Sequence, residues 1–551
     1  MARQSTTPVS FSRSIRKDRA VTMSSGRAGV VVPCGYIPLL PGDGAAGRVG
    51  IDVQLQEMPK PLLNAVSANF QAWFVPKSAH PRFAGRDELM HAITGDTIKA
   101  LGQSDRSPPP YFGTLQSTAK DTYASSVFVK ALGLHINVGD GLPINTDLVD
   151  AFNLIWNFRA AAHSSRLARR KYASEDVALA STLPPAFWPS SRLSRVVPDY
   201  ERALVVGSLD LDVVAGRLPV SGITFQQSSF AAGTGAQRQT TGLPDLDGAD
   251  VALTTSNTAI KKLGSGIAAV PDVWAEMSGQ SVGITLADID KARTTQAFAK
   301  LRTAYAGNDA TGFDNDDTIV ALLMQGIGVP EDQFKRPWLL DSKRVPVGFA
   351  QRFATDAANL DASVSRGRAS AMLSLNVPVN DVGGVIIITC EVLPERVDER
   401  MSDEWVYCVA PDDLPNALRD VQRVEPVDLV LNRRIDVKHT TPLGLYGYEP
   451  MNDKWNRDFT RLGGDFYMAT PGGGWTENRS NIWQTEIVNP TFSATHYLAP
   501  SPFPHDVFAD QNGSAFEFVC RHEVSINGLT QIGDVLAENN DDYEAVEEAG
   551  L

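Results

Sequence analysis

The side chains best suited to chemistry in this sequence form two basic clusters, and the chemistry that they suggest is contact with phosphate groups. Residues 1–27 carry six cations against one acidic residue, Asp18, which gives this segment a net charge of +5. The six cations are Arg3, Arg13, Arg16, Lys17, Arg19 and Arg27. Guanidinium and ammonium groups neutralise backbone phosphates, and Phe11 among them could stack on a base. We predict a basic N-terminal arm over 1–27 that faces nucleic acid, with a disordered, soluble terminus as the alternative.

A second basic cluster is a weaker candidate for the same role. It consists of Arg166, Arg169, Arg170 and Lys171, at the end of a predicted helix. These side chains could also contact the phosphates of DNA. The alternative interpretation is a solvated helix face or a salt-bridged contact between subunits.

Three short motifs match catalytic or ligand-binding patterns, but each lacks the context that its chemistry requires. Residues 279–283 have the G-x-S-x-G spacing of a nucleophile elbow, yet no buried β-branched strand precedes them. Residues 264–269 fit a loose phosphate loop, but Pro271 follows where a long helix would have to begin. Residues 314–317 resemble a calcium loop without its glycine and final glutamate, and they fit a helix N-cap instead. The sequence therefore predicts no catalytic, cofactor or metal site, and we do not expect an enzyme.

The overall charge indicates an acidic body with differently charged ends. The net charge is −14 over 551 residues, so the chain without its basic arm carries −19. Residues 537–551 hold six acidic side chains and are predicted to form an acidic tail in solvent. The apolar share of 43% is ordinary for a globular protein and excludes wholesale disorder.

Neither a membrane span nor a secretion signal is predicted. The longest apolar run, residues 319–324, is far shorter than the roughly eighteen residues that suggest a span. Residues 1–27 are too polar and basic for a signal peptide. We expect a protein without membrane insertion that is made in a cytoplasm. Its four cysteines lie far apart and are expected to be reduced and mostly buried.

Strand patterns outnumber helix patterns among the elements that must position these residues. Apolar and polar residues alternate over 51–56, 66–74 and 516–524, which is typical of half-buried strands. The continuous β-branched run 385–388 predicts a strand that is covered on both faces. Long gaps separate the strands, and long connections in compact proteins usually carry interactions. The sequence therefore predicts a sheet core with contact surfaces on its insertions.

Helical spacing is confined to a few segments. Residues 147–171 and 286–305 place apolar side chains at near-helical intervals, and both are predicted to be helices that pack on a sheet. Residues 226–283 are rich in small and polar types with few large apolar groups. We interpret this stretch as an exposed insertion.

Eight motifs occur along the chain in an order that resembles one protein family. They are FSRS at 11–14, VPCGYIPLLPGD at 32–43, NFQAWFVPK at 69–77, AFNLIWN at 151–157, LPVSGI at 218–223, residues 293–301, GVPEDQFKRPWL at 328–339 and YGYEP at 446–450. In sequence and order they are similar to motifs of the major capsid proteins of the Microviridae, nearest to the gokushovirus-like branch. These viruses infect bacteria and have single-stranded DNA genomes.

The resemblance implies a fold and a function. It implies a single eight-stranded antiparallel jelly roll with long interstrand insertions that contain a few helices, spanning residues 28–536. Identical subunits would assemble into a T=1 icosahedral shell around circular single-stranded DNA, with residues 226–283 as the candidate surface protrusion. The implied partners are other copies of the chain, the internal DNA, small basic DNA-binding or minor capsid proteins and a host surface receptor. The implied location is the virion.

Two other classes of protein stay open on the sequence. A carbohydrate-binding or carbohydrate-active β-sandwich is the main alternative, because scattered tryptophans and paired carboxylates suit sugars. A glycosidase would need two carboxyl groups about 5–10 Å apart in a cleft. An adhesin is the second, and the polar N-terminus disfavours it.

Overall fold

A computed structural model of the protein describes most of the chain. The described residues are 12–83, 85–98, 105–164, 166–189, 192–199, 209–212, 217–219, 274–276, 281–284, 336–352, 364–398, 400–423, 426–457, 460–467, 480–485, 488–493 and 496–533. The chain divides into two compact units. The first unit comprises Met1–Tyr200 and Leu301–Leu551, and the second comprises Glu201–Lys300.

The first unit contains a five-stranded antiparallel sheet, which we call the open sheet. Its strand order is β1-β17-β3-β13-β12. The strands are β1 (Ser14–Gly26), β3 (Gly44–Leu55), β12 (Gly348–Arg352), β13 (Val364–Val377) and β17 (Phe516–Gly528). In β3 and β17 the burial alternates residue by residue, so one face lies in the core and the other faces solvent. The strands predicted from alternation over 51–56 and 516–524 are confirmed.

A four-stranded antiparallel sheet, the covered sheet, packs against the open sheet. Its order is β11-β4-β14-β2, with β2 (Val31–Leu39), β4 (Val66–Pro76), β11 (Trp338–Pro346) and β14 (Gly384–Pro394). Every residue of β14 is buried, which confirms the strand predicted to be covered on both faces. The alternating strand predicted over 66–74 is also present, as β4.

The two sheets share one buried core. At its centre Gly35 of β2 lies beside Ile388 of β14 and Cys520 of β17, so side chains from both sheets meet there. Cys34, Cys390 and Cys520 are buried in this core, as predicted for most of the cysteines. Burial raises the pKa of the Cys34 thiol well above its usual value, which keeps it protonated. The protein is mainly β with antiparallel sheets and few helices, and its two sheets are arranged as in a β-sandwich.

The helices are short and lie in the connections between strands. They are α1 (Arg86–Thr94), α2 (Ser117–Ala124), α3 (Val127–Leu132), α4 (Asp147–His163), α5 (Val177–Ala180), α6 (Ala417–Val421) and α7 (Asn432–Ile435). Helix α3 packs on β2, and α4 packs on β4 and β14, so helices cover the outer face of the covered sheet. The outer face of the open sheet has exposed side chains instead.

The predicted helix over 147–171 is too long by eight residues, because α4 ends at His163. Side chains of α4 itself explain why the helix ends there. The Asn157 side chain accepts a hydrogen bond from the Arg170 backbone N–H and donates one to the Arg170 carbonyl. The Asn153 amide donates to the Lys171 carbonyl at 3.0 Å. These bonds fold the following segment back along α4, so the second basic cluster lies beyond the helix.

Small two-stranded sheets complete the described structure. In the first unit, β5 (Thr114–Leu115) pairs with β6 (Ile144–Asn145), and β15 (Val427–Leu431) pairs with β16 (Leu445–Pro450). In the second unit, β7 (Leu209–Asp212) pairs with β10 (Ser281–Ile284), and β8 (Arg217–Pro219) pairs with β9 (Trp274–Glu276). The helix predicted over 286–305 and the acidic tail lie outside the described residues. Apart from β9 and β10, so does the predicted insertion 226–283.

Candidate nucleic-acid interface

Most of the predicted basic arm is a strand of the open sheet. Residues Ser14–Gly26 form β1, which pairs with β17 along its whole length, from Ser14 opposite Gly528 to Gly26 opposite Phe516. The strand lies at an edge of the sheet. Arg3 lies outside the described residues. The pairing register therefore sets where Arg16, Lys17 and Arg19 point.

The register places two arm cations on the outer face of the open sheet with four further arginines. Lys17 and Arg19 of β1 are exposed, and paired residues of antiparallel strands share a face. We call this surface the basic sheet face, and the six cations whose side chains are described on it are Lys17, Arg19, Arg48, Arg366, Arg368 and Arg521. The acidic side chains on the same strand faces are Asp52, Glu517 and Glu523. This face is therefore net positive, although the chain as a whole carries −14.

Half of these six cations are paired within the chain. Arg19 forms an ion pair with Glu523, Arg368 contacts Asp52 at 3.4 Å, and Arg366 pairs with Glu57. All three pairs are exposed to solvent and screened by it, so each contributes little to folding.

The other three cations have no partner among the described residues. For Lys17, Arg48 and Arg521 the described part of the chain offers neither an ion pair nor a hydrogen-bond acceptor. These three side chains are available to external anions.

Between these cations several outward positions carry small side chains, namely Ala46, Gly50, Ser370, Ser374 and Ser525, while the exposed Met372 opposite Gly50 is larger. A side-chain carbon at Gly50 would meet no other atom within 4 Å, so a ligand can approach the backbone there. No aromatic side chain lies on this face among the described residues of β1, β3, β13 and β17. The arrangement suits contact with phosphates and does not suit base stacking.

The other described arm cations stabilise the fold locally. Arg16 pairs with the buried Asp43 and donates to the Thr530 hydroxyl at 2.9 Å, and Arg13 donates to the Gly42 carbonyl at 3.2 Å. Arg27 donates to the Asn512 carbonyl at 3.3 Å. These three side chains are therefore anchored to neighbouring loops.

A histidine beside Arg27 is neutral near pH 7. Arg27 lies 3.4 Å from the His505 ring nitrogen Nδ1. Burial, with Arg27 nearby, lowers the pKa of His505 to about 4. The neutral ring can accept a hydrogen bond from the guanidinium, so the two groups coexist without repulsion between like charges.

The four side chains of the second basic cluster each have a partner in the chain. Arg166 pairs with Asp199, Arg169 with Glu175 at 2.6 Å, and Lys171 with Asp176 at 3.5 Å. Arg170 donates to the Asn153 side chain and to the carbonyls of Leu179, Ala180 and Thr182. Burial lowers the pKa of Arg170 to about 10. Three of the four charges are thus balanced by a nearby carboxylate, and the fourth joins α4 to the segment after it.

Sequence reasoning missed four of the six cations on the basic sheet face. Arg48 and Arg521 are single cations in the sequence, and Arg366 and Arg368 form only a pair separated by Gly367. Each stands at an outward position of a strand, such as Arg521 between the buried Cys520 and His522. Cations at alternate positions of predicted strands are the signal that would have found them.

A second polar site lies under α4 on the outer side of the covered sheet. Arg159 of α4 pairs with Glu391 of β14, and its guanidinium lies 4.5 Å from the centre of the Phe187 ring. A cavity of about 190 Å³ adjoins this pair, and Trp188 and Arg344 also line it. Burial lowers the pKa of Arg344. Glu391 is the one carboxylate among the described residues that line this cavity, so they do not form the pair that a glycosidase needs.

No group of three or more His, Cys, Asp or Glu side chains in the described ranges could hold a metal ion. No helix in the same ranges has the length and apolar character needed to cross a membrane.

Comparison with known proteins gives no assignment. No protein-family model matches the sequence, and no curated protein matches it significantly.

Proposed function

We propose that this protein is the major capsid protein of a small bacteriophage whose genome is single-stranded DNA, as the resemblance to the Microviridae implies. The observation that carries the proposal is the order of the eight longest strands. Numbered one to eight along the chain, β1, β2, β3, β4, β11, β13, β14 and β17 lie in the orders 1-8-3-6 and 5-4-7-2. This order is the one expected of an eight-stranded jelly roll, with β12 added at one edge.

The connections between these strands suit a protein that assembles into a shell. Residues 77–337 separate β4 from β11, and residues 395–515 separate β14 from β17. Connections of this length are much longer than a jelly roll needs to join its strands. They add surface, and large obligate interfaces between subunits require a large surface. In the proposal they form the contacts between identical subunits of a T=1 shell, with residues 226–283 as the protrusion.

The basic sheet face supports the choice of a nucleic-acid cargo. Jelly rolls also occur in lectins, so the strand order alone does not select a function. A net positive face on an acidic protein is an electrostatic footprint of nucleic-acid binding. In the proposed shell this face lies inward, against DNA phosphates, and small basic or minor capsid proteins could share the interior. The protein would be made in the host cytoplasm, reside in the virion and meet a host receptor from outside.

Sizing the purified protein by multi-angle light scattering tests the proposal. The expected result is a uniform particle population far heavier than the 59.5 kDa subunit. A protein that stays monomeric at all accessible concentrations, with or without single-stranded DNA, would overturn it.

A carbohydrate-binding β-sandwich remains the lesser proposal. One observation favours it, because the cavity under α4 combines the aromatic rings of Phe187 and Trp188 with the polar groups of Asn69 and Arg344. Aromatic rings and a few placed polar groups are what a sugar site requires. Screening the protein on a glycan array tests it, and binding that survives Trp188→Ala would remove this cavity as the site.

A further inference from the structure

A large apolar cavity lies between the covered sheet and the helices over it, and nothing proposed above uses it. Its volume is about 710 Å³, within the range of small-molecule sites. Its walls come from the end of β2, from α1, from the segment that follows α3 and from the first turn of α4. All of these belong to the first unit of the chain.

Large apolar side chains at this cavity are left in contact with water. Leu40, Ile93 and Phe112 line the cavity and are 48%, 40% and 45% exposed. Ile136 and Ile144 extend the apolar wall. Covering such a surface with an apolar group is favourable at about 25 cal/mol per Å². The cavity therefore suits a ligand with an apolar body.

One end of the cavity holds a buried ammonium group. Lys77 is only 2% exposed, and its Nζ lies 4.3 Å from the ring centres of both Tyr111 and Phe112. The one hydrogen-bond acceptor for Nζ among the described residues is Asp147, although an ammonium group has three donors. Arg82 binds the same carboxylate, so two cations share one anion.

The other ionisable groups nearby supply little of the missing negative charge, and Asp150 has the weakest effect of the groups that act on Lys77. His80 lines the cavity, and burial lowers its pKa to about 3, which leaves it neutral. Asp150 does not line the cavity, and its carboxylate accepts hydrogen bonds from Thr146 and from the Ala173 backbone. Burial also lowers the pKa of Lys77 to about 8, because the loss of hydration outweighs the attraction between the ammonium group and Asp147. An anionic oxygen from a ligand would give the Lys77 ammonium group the further negative charge that it lacks.

We propose that this cavity binds an amphipathic carboxylate, with the alkyl chain along the wall of Ile93, Phe112 and Ile136 and the carboxylate at Lys77 Nζ. The apolar wall supplies affinity for the chain. The under-compensated ammonium selects an anionic head over a neutral one. The site is independent of the basic sheet face and of the capsid proposal.

Isothermal titration calorimetry with decanoate and decanol tests the inference. The wild-type protein should bind both, with decanoate the tighter. Lys77→Met keeps the aliphatic bulk and should weaken decanoate binding about tenfold, the equivalent of one lost charged hydrogen bond, while decanol binding stays unchanged. Ile93→Trp at the exposed rim should obstruct both ligands, and Lys130→Met, an exposed lysine of α3 away from the cavity, should change neither.

Several outcomes would overturn the inference. One is the absence of decanoate binding to the wild-type protein. Another is binding that Ile93→Trp leaves intact, which would place the ligand elsewhere. Equal weakening of decanoate and decanol by Lys77→Met would remove the head-group assignment, and a polypeptide segment occupying the cavity in assembled particles would replace the small molecule.

Discussion

The two sheets of this protein differ most on their outer faces. The open sheet presents alternating exposed residues, including the six cations of the basic sheet face, whereas α3 and α4 pack over the covered sheet. Charges on the open side are mostly exposed, while Arg159 and Glu391 on the covered side are buried together. The same ion-pair chemistry is therefore solvent-screened on one side and buried on the other, so its contribution to folding differs between the two sheets.

The sharpest test of this difference breaks one ion pair on each side. Arg159→Leu leaves the Glu391 carboxylate, which is 3% exposed, without its cation. Breaking a buried pair in this way should cost about 3–5 kcal/mol of unfolding free energy. Glu523→Gln removes the partner of Arg19 on the open side, where the side chains are 65% and 60% exposed, and should cost at most about 1 kcal/mol. Thermal or urea denaturation measures both, and equal losses would contradict the comparison.

Acid should destabilise the covered side through His80. Its pKa is about 3 in the folded protein, against an ordinary value of 6.5, so the unfolded chain binds a proton more readily. The histidine therefore contributes stability above pH 6.5 that is lost progressively as the pH falls toward 3. At pH 4.5 this loss should be about 3 kcal/mol.

His80→Gln removes this one titration and keeps an acceptor for Arg82, which lies 3.2 Å from the ring. The drop in denaturation midpoint between pH 7.5 and pH 4.5 should be smaller in this variant than in the wild type. Carboxylates also titrate over this pH range, but they are the same in both proteins, so their contribution to the drop cancels in the comparison. An identical pH response in the two proteins would show that His80 is not held neutral by burial.

The open side can be tested by removing its unpaired cations. The triple variant Lys17→Ser, Arg48→Ser, Arg521→Ser should weaken binding to a fluorescent oligothymidylate. It should also reduce the slope of log affinity against log salt by about 2, because each phosphate contact on a single strand contributes roughly 0.7. Fluorescence anisotropy over a salt series measures the slope.

The matched control removes the same charge from the second basic cluster. Arg166→Ser, Arg169→Ser and Lys171→Ser act on cations that already face Asp199, Glu175 and Asp176. This control should leave the slope nearly unchanged. A larger effect from the control than from the sheet variant would move the DNA-facing surface to the second cluster.

The smallest effect on folding is expected at the free edge of the open sheet. Met23 on β1 is 76% exposed. Val409 lies in the long connection between β14 and β17 and is 91% exposed. Met23→Lys should change the denaturation midpoint as little as Val409→Lys does, within about 0.5 kcal/mol of stability. In the capsid proposal only Met23→Lys should raise the concentration needed for assembly, because a long edge strand is a ready contact surface. Assembly that is equally sensitive to both changes would remove β1 from the subunit interface.

The buried strands were the part of the fold that the sequence predicted well. Strands β3 and β17 each bury one face, and that burial imposes the alternation seen in Ile51, Val53 and Leu55. Strand β14 is covered on both faces, which requires the continuous run 385–388. Burial constrains side-chain type at each position, and so these strands are visible in the sequence.

The edge strand and the candidate site were harder to predict for the same reason. Strand β1 buries only Gly26, so its cations were interpreted as an arm and not as a strand. Its partner β17 lies some five hundred residues later, and no local pattern encodes that pairing. The basic sheet face likewise joins Arg48, Arg366 and Arg521 from distant segments, and only the register brings them together.

Electron microscopy of the purified protein, prepared with single-stranded DNA, is the direct test of the proposed capsid. We expect closed, uniform shells with icosahedral symmetry, in which Lys17, Arg48 and Arg521 face the interior. Shells with the open sheet on the outside would contradict the assigned DNA interface. Dispersed monomers without any closed particles would contradict the proposed function itself.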